Sequence, residues 1–297
     1  MRFGDERESS NFEDVTGSSG SGFGGGGFGG GGLGCLLPLI ASRFGIGGVV
    51  VLVIGYFLLS SLGGLGGSGG SIAPATQQGA GTGRSTLDPN TRHFMLQVLA
   101  STEDTWTNLL QPKGIRYTPT KLVAYSQGYQ SGCGAAQSAM GPFYCPTDQD
   151  IYLDTEFFSE LSQRFNAPGQ FPEAYVIAHE VGHHVQDLMG TLGKAEKMQA
   201  RASQTQGNAI QVKIELQADC YAGVWAANAR NPEGQPVMEA GDIEQGMRAA
   251  EAIGDDTLQR QSQGTVVPDS FTHGTSAQRV EALQRGYKSG NPDVCQF

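Results

Sequence analysis

The chain changes texture four times along its length. Residues 1–16 (MRFGDERESSNFEDVT) mix charged and polar positions with no helical stripe, a pattern that predicts disorder. Gly17 to Gly34 is almost pure Gly/Ser, broken by Phe23, Phe28 and Leu33, and reads as a flexible tether. Phe44 to Leu62 then runs nineteen residues without a charge. At 1.5 Å rise per residue such a run crosses a hydrocarbon core of about 30 Å, so it predicts one transmembrane helix. Residues 63–87 return to Gly, Ser, Thr and Gln, a second flexible linker.

From Asp88 the pattern is that of a folded domain. DPNTRHFMLQVLASTEDTWTNLL predicts a helix capped by Asp88 or Asn90, with Phe94, Leu96, Val98, Leu99, Trp106 and Leu109 as core candidates. KLVAYS (121–126) predicts a strand, and FYC (143–145) with IYLD (151–154) a pair joined by the turn PTDQD. TEFFSELSQRF predicts a short helix. After Pro172, a favourable first helical residue, nearly everything is helical to the end. Strands followed by helices predict an α+β domain dominated by helix, over 88–297.

Composition sharpens this division. Of the 45 glycines, 26 fall in residues 1–83, so the rest of the chain has an ordinary glycine content and the size of one domain. Net charge is −10, and the part from residue 84 on is itself acidic, which argues against nucleic acid as a partner. Arg2, Arg7 and Arg43 precede the apolar run, and no Lys or Arg follows until Arg84. By that asymmetry residues 1–43 form a cytoplasmic tail, 44–62 an uncleaved single-pass anchor in the inner membrane, and the folded domain lies on the extracytoplasmic side. Cys133, Cys145, Cys220 and Cys295 all follow the run, an even number that fits disulfides in an oxidising compartment. Three pairings are possible. Cys133 with Cys145 would close a local loop, and Cys220 with Cys295 would pin the chain's end to a core helix. Cys35, before the run, is odd.

The decisive segment is PEAYVIAHEVGHHVQDLMG, residues 172–190. His179 and His183 are four apart, so on a helix both imidazoles leave one face and can grip one metal ion. Glu180 lies about 100° round, near enough to reach a metal-bound water without ligating. A hydrolytic zinc needs a third protein ligand and an open position. The metzincin extension fails, because Gln186 and Met189 stand where Gly and His are required. His184 points away from the shared face, and His93 is far upstream on a surface helix. The better option is VKIELQADCYAGVWAANAR (212–230), where Glu215 and Asp219 are again four apart. There the glutamate would bind zinc and the aspartate would accept the other N–H of a ligand histidine.

AHEVGHHVQ, ELQADCYAGVWA, GPFYCPTDQDIYLD, IGDD and FTHGTSAQRV together resemble the bacterial neutral zinc metallopeptidase family of membrane-anchored proteins. The resemblance runs over essentially the whole chain. It implies a zincin-like, gluzincin-type site with one Zn²⁺ on His179, His183 and Glu215, and Glu180 catalytic. Its chemistry is peptide hydrolysis, in which zinc acidifies a water, Glu180 takes the proton, and the hydroxide attacks the peptide carbonyl. His273, in a Thr-His string before a helix with Arg279, resembles the second oxyanion donor of other membrane-linked gluzincins. The expected substrates are exported or envelope proteins. The alternatives are an inactive peptidase-like scaffold that binds peptides or partners, against which the intact Glu180 argues, and a membrane-tethered zinc-binding or envelope assembly factor that does no proteolysis.

Overall fold

The computed structural model describes residues 1–17 and 84–297. Helix α1 (Pro89–Leu110) starts where the Asp88 carboxylate accepts from the amides of Asn90 and Thr91, at 2.9 and 3.0 Å. These are two of the orphan donors of a helix N-terminus, and Pro89 needs none. Phe94, Leu96, Val98, Leu99 and Trp106 are buried along it, while Leu109 is only partly covered.

Among the described residues the predicted hairpin is joined by four further short strands. β1 (Phe12–Asp14), β2 (Lys121–Tyr125), β5 (Phe143–Cys145) and β6 (Asp150–Asp154) form one sheet in the order β1-β2-β6-β5. β5 and β6 are antiparallel, with Cys145 opposite Asp150, as the turn signal predicts. β2 is parallel to both β1 and β6. β3 (Gly128–Ser131) and β4 (Gly134–Gln137) make a separate hairpin over the sheet's outer face, fastened by the Cys133–Cys145 disulfide. Tyr129 packs there against Tyr125 and Tyr152. Leu122, Ala124, Ile151 and Leu153 point the other way, into the main core.

Helices supply the rest: α2 (Glu156–Gln163), α3 (Gln170–Leu188), α4 (Thr191–Gln199), α5 (Gln204–Asn228), α6 (Asp242–Ala252), α7 (Asp255–Gln263) and α8 (Ser276–Ser289). α3 is buried on almost every side, with Tyr175, Ile177, Ala178, Val181 and Val185 in the core. The C-terminal half of α5, from Ile214 to Ala226, is buried against it, and α8 lies across α5. These crossings depend on missing side chains. A Cβ on Gly182 would sit 3.1 Å from Ala218 Cα, and one on Gly286 only 1.9 Å from the Cys220 carbonyl oxygen. The Cys220–Cys295 disulfide ties the chain's last turn to α5.

Two expectations are corrected. Residues 1–16 are ordered: Phe3 is buried with its ring edge-on to Phe94, Arg7 pairs with Glu103 and Asp104, and β1 adds to the sheet in register with β2. Their polarity hid this because each side chain is matched individually, with no period to read. The segment returning at 84–87 docks beside them, with the Thr86 amide on the Thr16 hydroxyl at 3.0 Å. The inner-membrane topology fails with it. A start that pairs with a central strand of the domain does not sit across a bilayer from that domain, and among the described residues no helix is long and apolar enough to cross a membrane. Residues 18–83, which hold the run Phe44–Leu62, Cys35 and nearly all of the two glycine-rich spacers, lie outside the described residues.

Candidate metal centre

α3 and α5 meet where Gly182 faces Ala218, and this close approach brings two i,i+4 pairs together. His179 and His183 leave α3 on one face, their rings 4.8 Å apart and nearly perpendicular. Glu215 and Asp219 face them from α5. Glu215 Oε2 lies 3.1 Å from His179 Nε2 and 3.4 Å from His183 Nε2. One donor atom from each of His179, His183 and Glu215 falls within 4.8 Å of the others. Two imidazole nitrogens and one carboxylate oxygen are the donor set of a hydrolytic zinc site that keeps one position open.

The far sides of these ligands are also held. The Asp219 carboxylate accepts from His179 Nδ1 at 2.8 Å, leaving Nε2 turned towards Glu215. Gln211 donates to the other Glu215 oxygen at 2.8 Å, and Gln186 Oε1 accepts from His183 Nδ1 at 2.8 Å. Asp219 is fully buried and is matched by Arg279 of α8, whose Nε and Nη2 each reach a different carboxylate oxygen at 2.9 Å. The Tyr175 hydroxyl also donates to Asp219.

Burial alone would discharge these groups, so the observed pairings decide their state. Burial pushes Asp219 up, but Arg279 and His179 together hold its carboxyl well below the usual range. Glu215 is likewise held low, burial being outweighed by His183 and His179. Without a metal ion, His179 is pushed up to about 10, because Asp219 and Glu215 outweigh the burial that disfavours its charged form. Arg279 cancels Asp219, and the carboxyls left are Glu215 and Glu180, each 6 % exposed. Two carboxylates in a buried cleft are the charge that one divalent cation balances, so donors and charge both fit zinc.

Glu180 neighbours the ligands on α3, and its carboxyl has no hydrogen-bond partner among the described residues. Burial raises its pKa, with His179 and His183 pulling it back. His273 lies in the turn before α8. Asp255 Oδ2 accepts the amides of Thr272, His273 and Gly274 at 2.7, 2.7 and 3.0 Å, and Oδ1 sits 3.3 Å from His273 Nδ1. Asp256 accepts the Ser276 amide at 2.7 Å, so the IGDD string is a clasp on this loop. Thr275, not His273, caps α8. His273 and Glu215 are close enough that each shifts the other's titration.

The remaining histidines stay apart from this cluster. His184 sits against the Thr118 carbonyl at 2.6 Å and the Tyr144 hydroxyl at 3.1 Å, locking α3 to strand β5. His93 pairs with Glu8 at the surface. Arg279, Tyr175, Gln211 and Gln186 are the residues that sequence reasoning missed as supports. Gln211 stands four residues before Glu215, so helical spacing could have found it, whereas nothing local links Arg279 to an aspartate 60 positions away.

Comparison with known proteins agrees with this geometry. The whole chain, residues 1–297, matches the family described as "Putative neutral zinc metallopeptidase". Uncharacterized protein YpfJ of Escherichia coli (strain K12) is 45% identical over 299 residues, covering 99% of this chain and 98% of that protein. Uncharacterized protein Rv2575 of Mycobacterium tuberculosis (strain ATCC 25618 / H37Rv) is 41% identical over 223 residues, 71% of this chain and 73% of its own. No solved structure matches the chain.

Proposed function

Because the chain belongs to the neutral zinc metallopeptidase family, we propose that it is a zinc-dependent endopeptidase with a zincin-like active site, acting on peptide or protein substrates. The observation that carries this reading is the convergence of His179, His183 and Glu215 beside an unpaired Glu180. The three ligands would hold one Zn²⁺. Zinc, when bound, supplies a Lewis acid that acidifies a water molecule and polarises the scissile carbonyl.

Glu180 accepts the proton of the attacking water and returns it to the leaving amine. Its burial-raised pKa suits both tasks, since a base poised nearer the working pH also serves as an acid. Asp219 keeps His179 presenting Nε2 to the metal. Asp255 holds the His273 loop and its ring, and an Nε2–H there would serve the oxyanion. A site that only bound peptides or partners would have no use for Glu180.

Glu180→Gln should keep zinc at wild-type stoichiometry and abolish casein cleavage. Equal degradation by both proteins, or by neither, defeats the peptidase reading. Glu215→Ala should lower zinc content in metal analysis, and an unchanged content removes Glu215 from the ligand set.

A further inference from the structure

A neutral imidazole that grips a metal through Nε2 carries its proton on Nδ1. For His179 that proton goes to Asp219, a carboxylate that can only accept. His183 has no carboxylate on that side. Its Nδ1 meets the side-chain amide of Gln186, 2.8 Å away. An amide accepts at one end and donates at the other, so the tautomer of His183 is defined only if Gln186 is itself held one way round.

Its direction is set further along a buried relay. Gln186 Nε2 donates to the Ile214 carbonyl at 2.7 Å and to Gln217 Oε1 at 3.0 Å. Gln217 Nε2 donates in turn to the Cys295 carbonyl at 2.7 Å. Each of the two amides thus donates to a backbone carbonyl, which only accepts. Turning either amide over sets oxygen against oxygen where Gln186 is 0 % and Gln217 5 % exposed, a costly clash at such burial. The carbonyl at the far end is fixed as well, since Cys295 is bonded to Cys220, the residue after Asp219 on α5.

We propose that Gln186 and Gln217 are positioning residues that hold His183 as its Nδ1–H tautomer, with the Cys220–Cys295 disulfide fixing the acceptor that sets the relay's direction. The proposal rests on the metal-centre reading above. The two ligand histidines are then oriented by unlike devices, His179 by a buried ion pair and His183 by a neutral chain of amides.

The test is zinc affinity of the full-length protein, measured by competition with a chromophoric chelator, beside long-range ¹H–¹⁵N spectra of the imidazoles. Gln186→Leu should weaken zinc binding by about 10- to 100-fold, and Gln217→Leu and the paired Cys220→Ser, Cys295→Ser variant by on the order of 10-fold. The paired Cys133→Ser, Cys145→Ser variant should bind zinc like wild type. In the zinc-loaded wild type the spectra should place the His183 proton on Nδ1, and a proton on Nε2 overturns the relay without any variant. Wild-type affinity in both glutamine variants also overturns it, and wild-type affinity in the Cys220/Cys295 pair alone removes the disulfide's part. A wild-type protein that binds no zinc overturns instead the metal-centre reading.

Discussion

A guanidinium with only 4 % exposure is costly to bury, and Arg279 tolerates it because every strong contact is matched. It grips both oxygens of Asp219, its Nη2 also meets the Tyr175 hydroxyl at 3.2 Å, and its Nη1 reaches the Ile253 carbonyl at 3.4 Å. The fork matters more than the charge, since a lysine ammonium has no second arm for the second oxygen. Removing one partner of such a pair strands the other. Arg279→Met should therefore destabilise the metal-free protein by about 3–5 kcal/mol in urea unfolding, because fully buried Asp219 loses both arms of the fork and keeps only His179 to balance it. Tyr175→Phe removes one hydrogen bond to a charged group and should cost only about 1.5–3 kcal/mol. A loss under about 1 kcal/mol for Arg279→Met would show that the pair is not the support described.

At the scale of elements, the site is a product of helix crossings. α5 and α8 approach until a Cβ on Gly223 would lie 2.1 Å from the Leu283 carbonyl oxygen, and one on Gly286 closer still to Cys220. Those obstacles are backbone, which cannot rotate aside as a side chain can. Gly286→Ala should force α8 off α5, cost about 1–3 kcal/mol or more, and lower zinc content as Arg279 leaves Asp219. Gly193 on α4 has open space around its Cβ position, so Gly193→Ala should be neutral or stabilising by up to about 1 kcal/mol. Equal urea midpoints for the two variants would contradict the crossing argument. The same contrast explains what the sequence could reveal. His179 with His183, and Glu215 with Asp219, were legible because helical spacing is local, and so was the β5–β6 hairpin with its turn. The hairpin GYQS/GAAQ (β3–β4) was not, since it has no β-branched residue and is held by a disulfide and by aromatic contacts from elsewhere. Nor was the parallel pairing of β2 with β6, which depends on register between distant segments.

For the whole molecule, the first 17 residues belong to the body that carries the candidate metal centre. Backbone pairing places β1 on the edge of β2, the Leu122 amide donating to Asn11 O at 2.9 Å and the Val15 amide to Ala124 O at 2.9 Å. A strand so covered is not available for pairing with another chain. At the far end of the segment, Phe3 is 6 % exposed against Phe94, and the Arg2 amide donates to the Val237 carbonyl at 2.7 Å. The segment thus spans from the sheet edge to the turn before α6, clamping α1 between them, with Ser9 and Asn11 both bonded to Glu103 on that helix. An early segment used in this way carries stability that a disordered tail does not. Phe3→Ala should lower the urea midpoint by the equivalent of about 3 kcal/mol at unchanged slope, the lower end for a buried phenylalanine because the pocket lies near the surface. It should also speed hydrogen exchange at the Val15 amide, whose protection depends on the segment staying docked. Exchange there as fast as in an unfolded peptide in the wild type, or a midpoint unmoved by the substitution, would return residues 1–17 to the status of a tail.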